Sequence, residues 1–256
     1  MISSLNSRDV FYLLKGDLKM NLTMMSIAID FSKMWKWIPT FIDGTIVTVV
    51  LSLLTVILGC IIGLIAIMMK RSQWKVINFI SYAYTQVVRG TPLLLQLYIW
   101  LYGLPMIGLT LPTLPFLGDI YGSREFITAV VALAINSGAY VCELLRGGLE
   151  SIDHGQMEAG RSLGLSNLET MRYIIIPQAI RVVLPGLCNE FIMMIKESSI
   201  VSTVGVFDVM YTSNIVKAST YSVFEPLIII AIIYFILTTL LTSLMSVIER
   251  KLNVYA

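Results

Sequence analysis

Four ionisable residues, Glu143, Glu190, Lys196 and Glu197, stand in stretches that are otherwise apolar. A charge at the centre of a bilayer costs about 2.5–3.5 kcal/mol on insertion scales, so such residues face a cavity or a partner. Asn136, Tyr140 and Glu143 are spaced i, i+4 and i+7 and share one helical face. Lys196, Glu197, Ser198 and Ser199 form a second polar run. These residue types suit binding of a small polar ligand, because they offer both signs of charge and several hydrogen-bonding groups. They also suit pairing among themselves, as Glu143 and Arg146 would at i and i+3. Catalysis is poorly served. The single histidine, His154, leaves no zinc constellation and no histidine-dependent triad. HExxH and GxSG are absent, as is the Gly-Lys-Ser/Thr of a phosphate-binding loop. The chain is expected to be no enzyme on its own and to hold no metal or cofactor.

The elements that position these residues are membrane spans. The chain has 256 residues, of which 57% are hydrophobic and 13% charged, with a mean hydropathy of +0.82. That exceeds what one soluble core of this length would hold. Residues 45–69, 93–109, 126–145, 179–205 and 226–248 are apolar runs near the length of about 20 residues that a crossing needs. The expectation is an all-α membrane protein with about five transmembrane helices. Lys70, Arg71, Lys75 and Arg89 fall between spans one and two. Arg146, Arg161, Arg172 and Arg181 fall between spans three and four, and Arg250 and Lys251 follow span five. The opposite loops hold only Arg124 and Lys217, so the basic side is cytoplasmic, the C-terminus inside and the N-terminus outside. Phe31, Met34, Trp35 and Ile38 recur at helical spacing and predict a short interfacial helix before Pro39, within an N-terminal extension of residues 1–40. A transmembrane domain of residues 41–250 and a tail of 251–256 follow. Cys60, Cys142 and Cys188 lie in apolar runs and read as small buried hydrophobes.

After span three stands EAGRSLGLSNLETMRYIIIPQAIRVVLPG, which runs into span four and whose polar first half is too polar to cross lipid. Asp153 to Leu163 predicts one short helix. Ser166 and Glu169 form a capping-box pair that starts another, running to about Ile176. Gly164, which tolerates positive φ, breaks the two. A helix–Gly–helix elbow of this kind packs into something or lies on the bilayer surface. Downstream, Pro185 removes a backbone hydrogen bond from span four, and broken polar helices near the midplane are a common transporter device.

These residues resemble the cytoplasmic signature E-A-A-x3-G-x9-I-x-L-P of ABC importer permease subunits, with Glu158, Ala159, Gly160, Gly164, Ile174, Ile176 and Pro177 at that spacing. Gly160 replaces the second alanine and Ile176 the leucine. More of the chain is similar to the polar amino acid permeases of the histidine/glutamine/arginine type. Gly44-Thr45 with Thr48, Arg89 to Gln96, Tyr140 to Gly148, Pro177-Gln178-Ala179 and Asn189 to Ser199 occur in order across residues 40–250. The resemblance implies a type I importer fold with a coupling-helix loop at about 153–177 that docks on an ATP-binding subunit. ATP and magnesium would sit on that partner. An extracytoplasmic amino acid-binding protein would deliver substrate, the run 211–221 offering it a contact, and a second permease copy or a sister permease would complete the pathway in the bacterial inner membrane. No nucleic acid is implied. Lys196, Glu197, Ser198, Ser199, Asn136 and Tyr140 would then contact an amino acid, or Lys196 would neutralise an acid of the neighbouring subunit. The rival class is an ion-coupled secondary transporter, which predicts a longer chain with paired repeats, and none is found.

Overall fold

The computed structural model describes residues 30–253; residues 1–29 of the expected extension and 254–256 of the expected tail lie outside the described residues. Among the described residues every regular element is helical. The first long helix, α1 (Ile38–Lys70), spans 33 residues, about 50 Å at 1.5 Å per residue, and so projects beyond a hydrocarbon layer of about 30 Å. A 3₁₀ turn, Phe31–Trp37, runs into it without a break. The interfacial helix expected before Pro39 is therefore not a separate element. Pro39 lies in the first turn of α1, where its missing N–H has no acceptor to lose. Met34 is buried against Phe41 and Val209, although Trp35 stays exposed.

The stretch after α1, expected as a basic loop, is a 15-residue helix, α2 (Lys75–Arg89). Its pattern is inside out: Val76, Phe79, Ile80 and Val87 are exposed, whereas Ser81 and Thr85 are buried. Ser81 donates to the Ala66 carbonyl at 2.7 Å, and Tyr84 donates to the Ile135 carbonyl at 2.6 Å. After a break at Gly90–Pro92 comes α3 (Leu93–Met106), a shorter apolar helix. Its Leu97 and Leu101 pack with Val47, Phe126 and Val206, so α2 and α3 together carry the chain from the Lys70 end of the bundle to the opposite end. Among the described residues four other segments are long and apolar enough to cross by themselves: Phe31–Lys70, Arg124–Glu150, Asn167–Val204 and Phe224–Val247.

Helix α4 (Arg124–Glu150) is the axis, with 67% of its apolar window buried, against 6% for the last span. The inward face of α1 is rich in small and polar residues. Gly44, Thr48, Ser52, Thr55, Gly59 and Gly63 point inward, while Ile46, Ile57, Ile61, Leu64 and Met68 point out. Lipid tails are as apolar as leucine, so helices associate through close packing of small residues instead of through hydrophobic burial. A Cβ on Gly63 would lie 2.6 Å from Val141 Cγ1, and one on Gly138 would lie 2.7 Å from Ile62 Cγ2.

The elbow consists of α5 (His154–Ser162) and α6 (Asn167–Thr170). A π turn, Met171–Ile175, then leads into α7 (Ile176–Glu197), which ends in a 3₁₀ turn, Ser198–Val204. The run 211–221 belongs mostly to a helix, α8 (Val209–Thr220), with Thr212, Ser213 and Val216 buried. Its cap, Asp208, accepts from Tyr211 N at 2.7 Å, and Val209 N donates to Thr48 Oγ1 at 3.1 Å, tying α8 to the start of α1. The peripheral α9 (Phe224–Asn253) closes the chain. Cys142 and Cys188 are buried and Cys60 is half-buried.

Candidate functional site

Helices α4 and α7 approach closely because glycines stand where they touch. A Cβ on Gly148 would lie 2.1 Å from Val183 Cγ2, and one on Gly186 would lie 2.8 Å from Leu144 Cδ2. Beside this contact an open cleft of about 420 Å³ is lined by Arg89, Tyr140, Glu143, Gly147, Asn189 and Glu190, among others. Glu143 pairs with Lys70, with Arg146 Nε at 2.8 Å and with Arg89 Nη1 at 3.9 Å. Arg146 also reaches Glu150. The Arg89 guanidinium lies 5.4 Å from the Tyr140 ring centroid, within cation–π range. Glu190 is buried and accepts from Ser137 Oγ at 2.8 Å. One wall is thus cationic around a single carboxylate, and the other carries an acid and an amide.

The six residues expected to meet a ligand separate in space. Tyr140 lines the cleft. Asn136 is buried and donates to Gln96 Oε1 at 2.9 Å. Gln96 in turn donates to the Val88 carbonyl at 2.7 Å and to Thr91 Oγ1 at 2.8 Å, which holds the α2–α3 break against α4. Ser198 is buried and donates to the Ile195 carbonyl at 2.8 Å. Lys196 and Ser199 line a different cavity of about 400 Å³ with Met210, Leu227, Ile230 and Tyr234. Glu197, half-buried at the last position of α7, lines neither. Of the face expected from the i, i+4 and i+7 spacing, Tyr140 and Glu143 lie on one wall of the cleft, whereas Asn136 turns to Gln96. The same spacing on α7, Val182, Gly186 and Asn189, marks the other and was the signal left unused. Pro185 does lie inside α7.

The elbow matches its expected caps. Asp153 accepts from Gly155 N at 2.6 Å, and Ser166 and Glu169 form the reciprocal capping box. Gly164 has φ +86° with nothing within 4 Å of a built Cβ, so it serves the turn and faces open space. Gly160 has a different reason. A Cβ there would lie 2.6 Å from Thr170 Cγ2, so glycine lets α5 rest on the start of the second arm. Glu158 and Ala159 are exposed, Ile174 is half-buried, and Pro177 sits in the first turn of α7. Leu163 and Leu168 are 82% and 77% exposed on either side of the glycine. The second arm does not end near Ile176 as its cap and proline suggested. It continues through the π turn, so that Asn167–Val204 is one element of 38 residues. The π turn Met171–Ile175 directly precedes Pro177, and such a local widening lets a helix pass a residue without an N–H, so the arm and span join.

A helical membrane bundle with a charged cleft and a protruding elbow that exposes leucines is the layout of the membrane subunit of a larger transport complex. Residues 56–254 match the family described as "Binding-protein-dependent transport system inner membrane component", and the chain belongs to that family. It is 39% identical over 225 residues to the arginine transport system permease protein ArtQ of Bacillus subtilis, covering 88% of this chain and 98% of the relative. It is 34% identical over 225 residues to the glutamine transport system permease protein GlnP of Escherichia coli K12, with the same coverage. A crystal structure of an amino acid ABC transporter with histidines superposes with a TM-score of 0.80 at 45% identity, over 87% of this chain and 99% of that one. The inward-facing MetNI methionine ABC transporter, 17% identical, superposes with a TM-score of 0.65 over 88% and 99% and shares the fold.

Proposed function

We propose that this chain is the permease subunit of an ATP-driven importer of a polar amino acid. The observation that supports it best is the presence, in one member of this family, of the exposed elbow and of a cleft bearing both signs of charge. In this reading an extracytoplasmic binding protein delivers the amino acid, and a second copy or a sister permease supplies the facing wall. The elbow engages an ATP-binding subunit, which holds ATP and magnesium, so this chain does no chemistry of its own. The end with Lys70, Arg89 and Arg146 faces the cytoplasm, which puts the N-terminus outside and the C-terminus inside. Closure of the ATPase dimer moves the elbow, and because the second arm is continuous with α7, the cleft wall bearing Asn189 and Glu190 moves with it.

Within the cleft, Arg89 suits a substrate carboxylate, and Glu190 suits an ammonium. Lys196 and Ser199 line the competing station at the other end of α7, with Glu197 next to them in the chain. In Glu190→Gln the amide still accepts from Ser137, so folding and assembly should persist. Uptake by the reconstituted complex should fall about tenfold, the equivalent of about 1.4 kcal/mol of lost stabilisation. Should Glu190→Gln transport normally while Glu197→Gln does not, the substrate station lies at the far end of α7 instead.

A further inference from the structure

We propose that a second, apolar cleft between α1, α4 and α7 binds one anionic phospholipid, its acyl chain lying along the cleft and its phosphate on Arg71. The α4–α7 contact divides two grooves of opposite character. Tyr140, Glu143 and Asn189 line the charged one, whereas Val141, Leu145, Leu149, Ile180, Leu184 and Leu187 line the other. The apolar groove encloses about 470 Å³ and has Arg71 as its one charged lining residue. A polar amino acid finds no partner there. Its outer lips, Leu64, Met68 and Ile180, are about half or more exposed and face where lipid tails would be.

Length and charge fix the occupant. Along α1 the groove runs from Cys60 to Arg71, eleven residues or about 16 Å. One leaflet of a hydrocarbon core about 30 Å thick has that depth. Arg71 is the residue that caps α1, so its side chain leaves the backbone where the apolar helix ends. Lys70 beside it is engaged by Glu143, but among the described residues no carboxylate pairs with Arg71. Exposed Trp74 and Lys75 follow at the same level, the residue types that settle among headgroups. A guanidinium recognises phosphate by paired hydrogen bonds and charge, which favours a lipid whose net charge is negative.

The test uses the assembled transporter purified in detergent, with dioleoyl phosphatidylglycerol or dioleoyl phosphatidylcholine added at equal concentration and retention read by native mass spectrometry. One phosphatidylglycerol per copy of this chain should be retained, at least fivefold over phosphatidylcholine. Arg71→Gln should abolish the preference, and Leu184→Trp, which fills the groove, should abolish retention of both. If Leu184→Trp fails to assemble, a phosphatidylglycerol with a photoreactive acyl terminus replaces it, and adducts on peptides carrying Cys60 or Leu187 support the site. Equal retention of the two lipids, a preference unchanged in Arg71→Gln, or photoadducts confined elsewhere would overturn the proposal. So would Cys60 cross-linking two copies in a lipid-free complex, which would make the groove a copy-to-copy interface.

Discussion

Replacing Leu163 and Leu168 together by aspartate is expected to leave the permease in the membrane and to strip it of its ATP-binding subunit. Both leucines are more than three-quarters exposed, so the chain's own fold loses almost nothing when they change. In a docked complex each buried leucine contributes roughly 1.5–3 kcal/mol, and an unpaired aspartate in the interface adds a desolvation penalty. A loss of about 4 kcal/mol or more corresponds to roughly a thousandfold weaker association. Gly164→Glu should weaken the same contact by another route. A Cβ there meets nothing within 4 Å, but φ +86° strains any residue that carries one, by about 1–3 kcal/mol. Co-purification of the ATPase and its stimulation by loaded binding protein are the measurements. Wild-type values of both in the double aspartate variant would make the elbow a surface-lying helix.

Glu143→Gln should be the most destabilising single change in the charged cleft. The carboxylate is flanked by Lys70, Arg146 and Arg89, and the side chains of Glu143 and Lys70 are only 14% and 15% exposed. Removing one partner of a buried pair leaves the other charge uncompensated, at about 3–5 kcal/mol. Arg146, whose side chain is 41% exposed, contributes little beyond that because water screens it. The cause can be isolated by adding Lys70→Met: the double variant should be more stable than Glu143→Gln alone. Thermal aggregation of the purified complex reads both. An unchanged midpoint in Glu143→Gln would show that the carboxylate bears no buried charge.

How far the sequence went depended on the range of the interactions that determine each element. The elbow was legible to within a residue or two at its start and its break, since Asp153, Ser166, Glu169 and Gly164 act on backbone groups two or three positions away. The long spans were legible because lipid demands continuous apolar runs. Helix α2 escaped notice because it turns serine and threonine inward and its apolar residues outward, and is too short to fill a span-length window. The site was half legible. Helical spacing put Asn136, Tyr140 and Glu143 on one face, but what each does is decided by residues far along the chain. Asn136 meets Gln96 at a separation of 40 residues, and Ser137 meets Glu190 at 53. No local pattern reports such pairings, so Asn136 looked like a ligand contact where the structure gives it a partner on α3.

The importer reading is tested most directly by uptake into proteoliposomes containing the complete complex, with labelled arginine or glutamine and the binding protein outside and ATP inside. Accumulation against a gradient should require both ATP and the binding protein, should survive collapse of the proton and sodium gradients, and should vanish in the Leu163→Asp, Leu168→Asp variant. Accumulation driven by an imposed proton or sodium gradient without ATP, and unaffected by that variant, would contradict it and make the chain a secondary transporter.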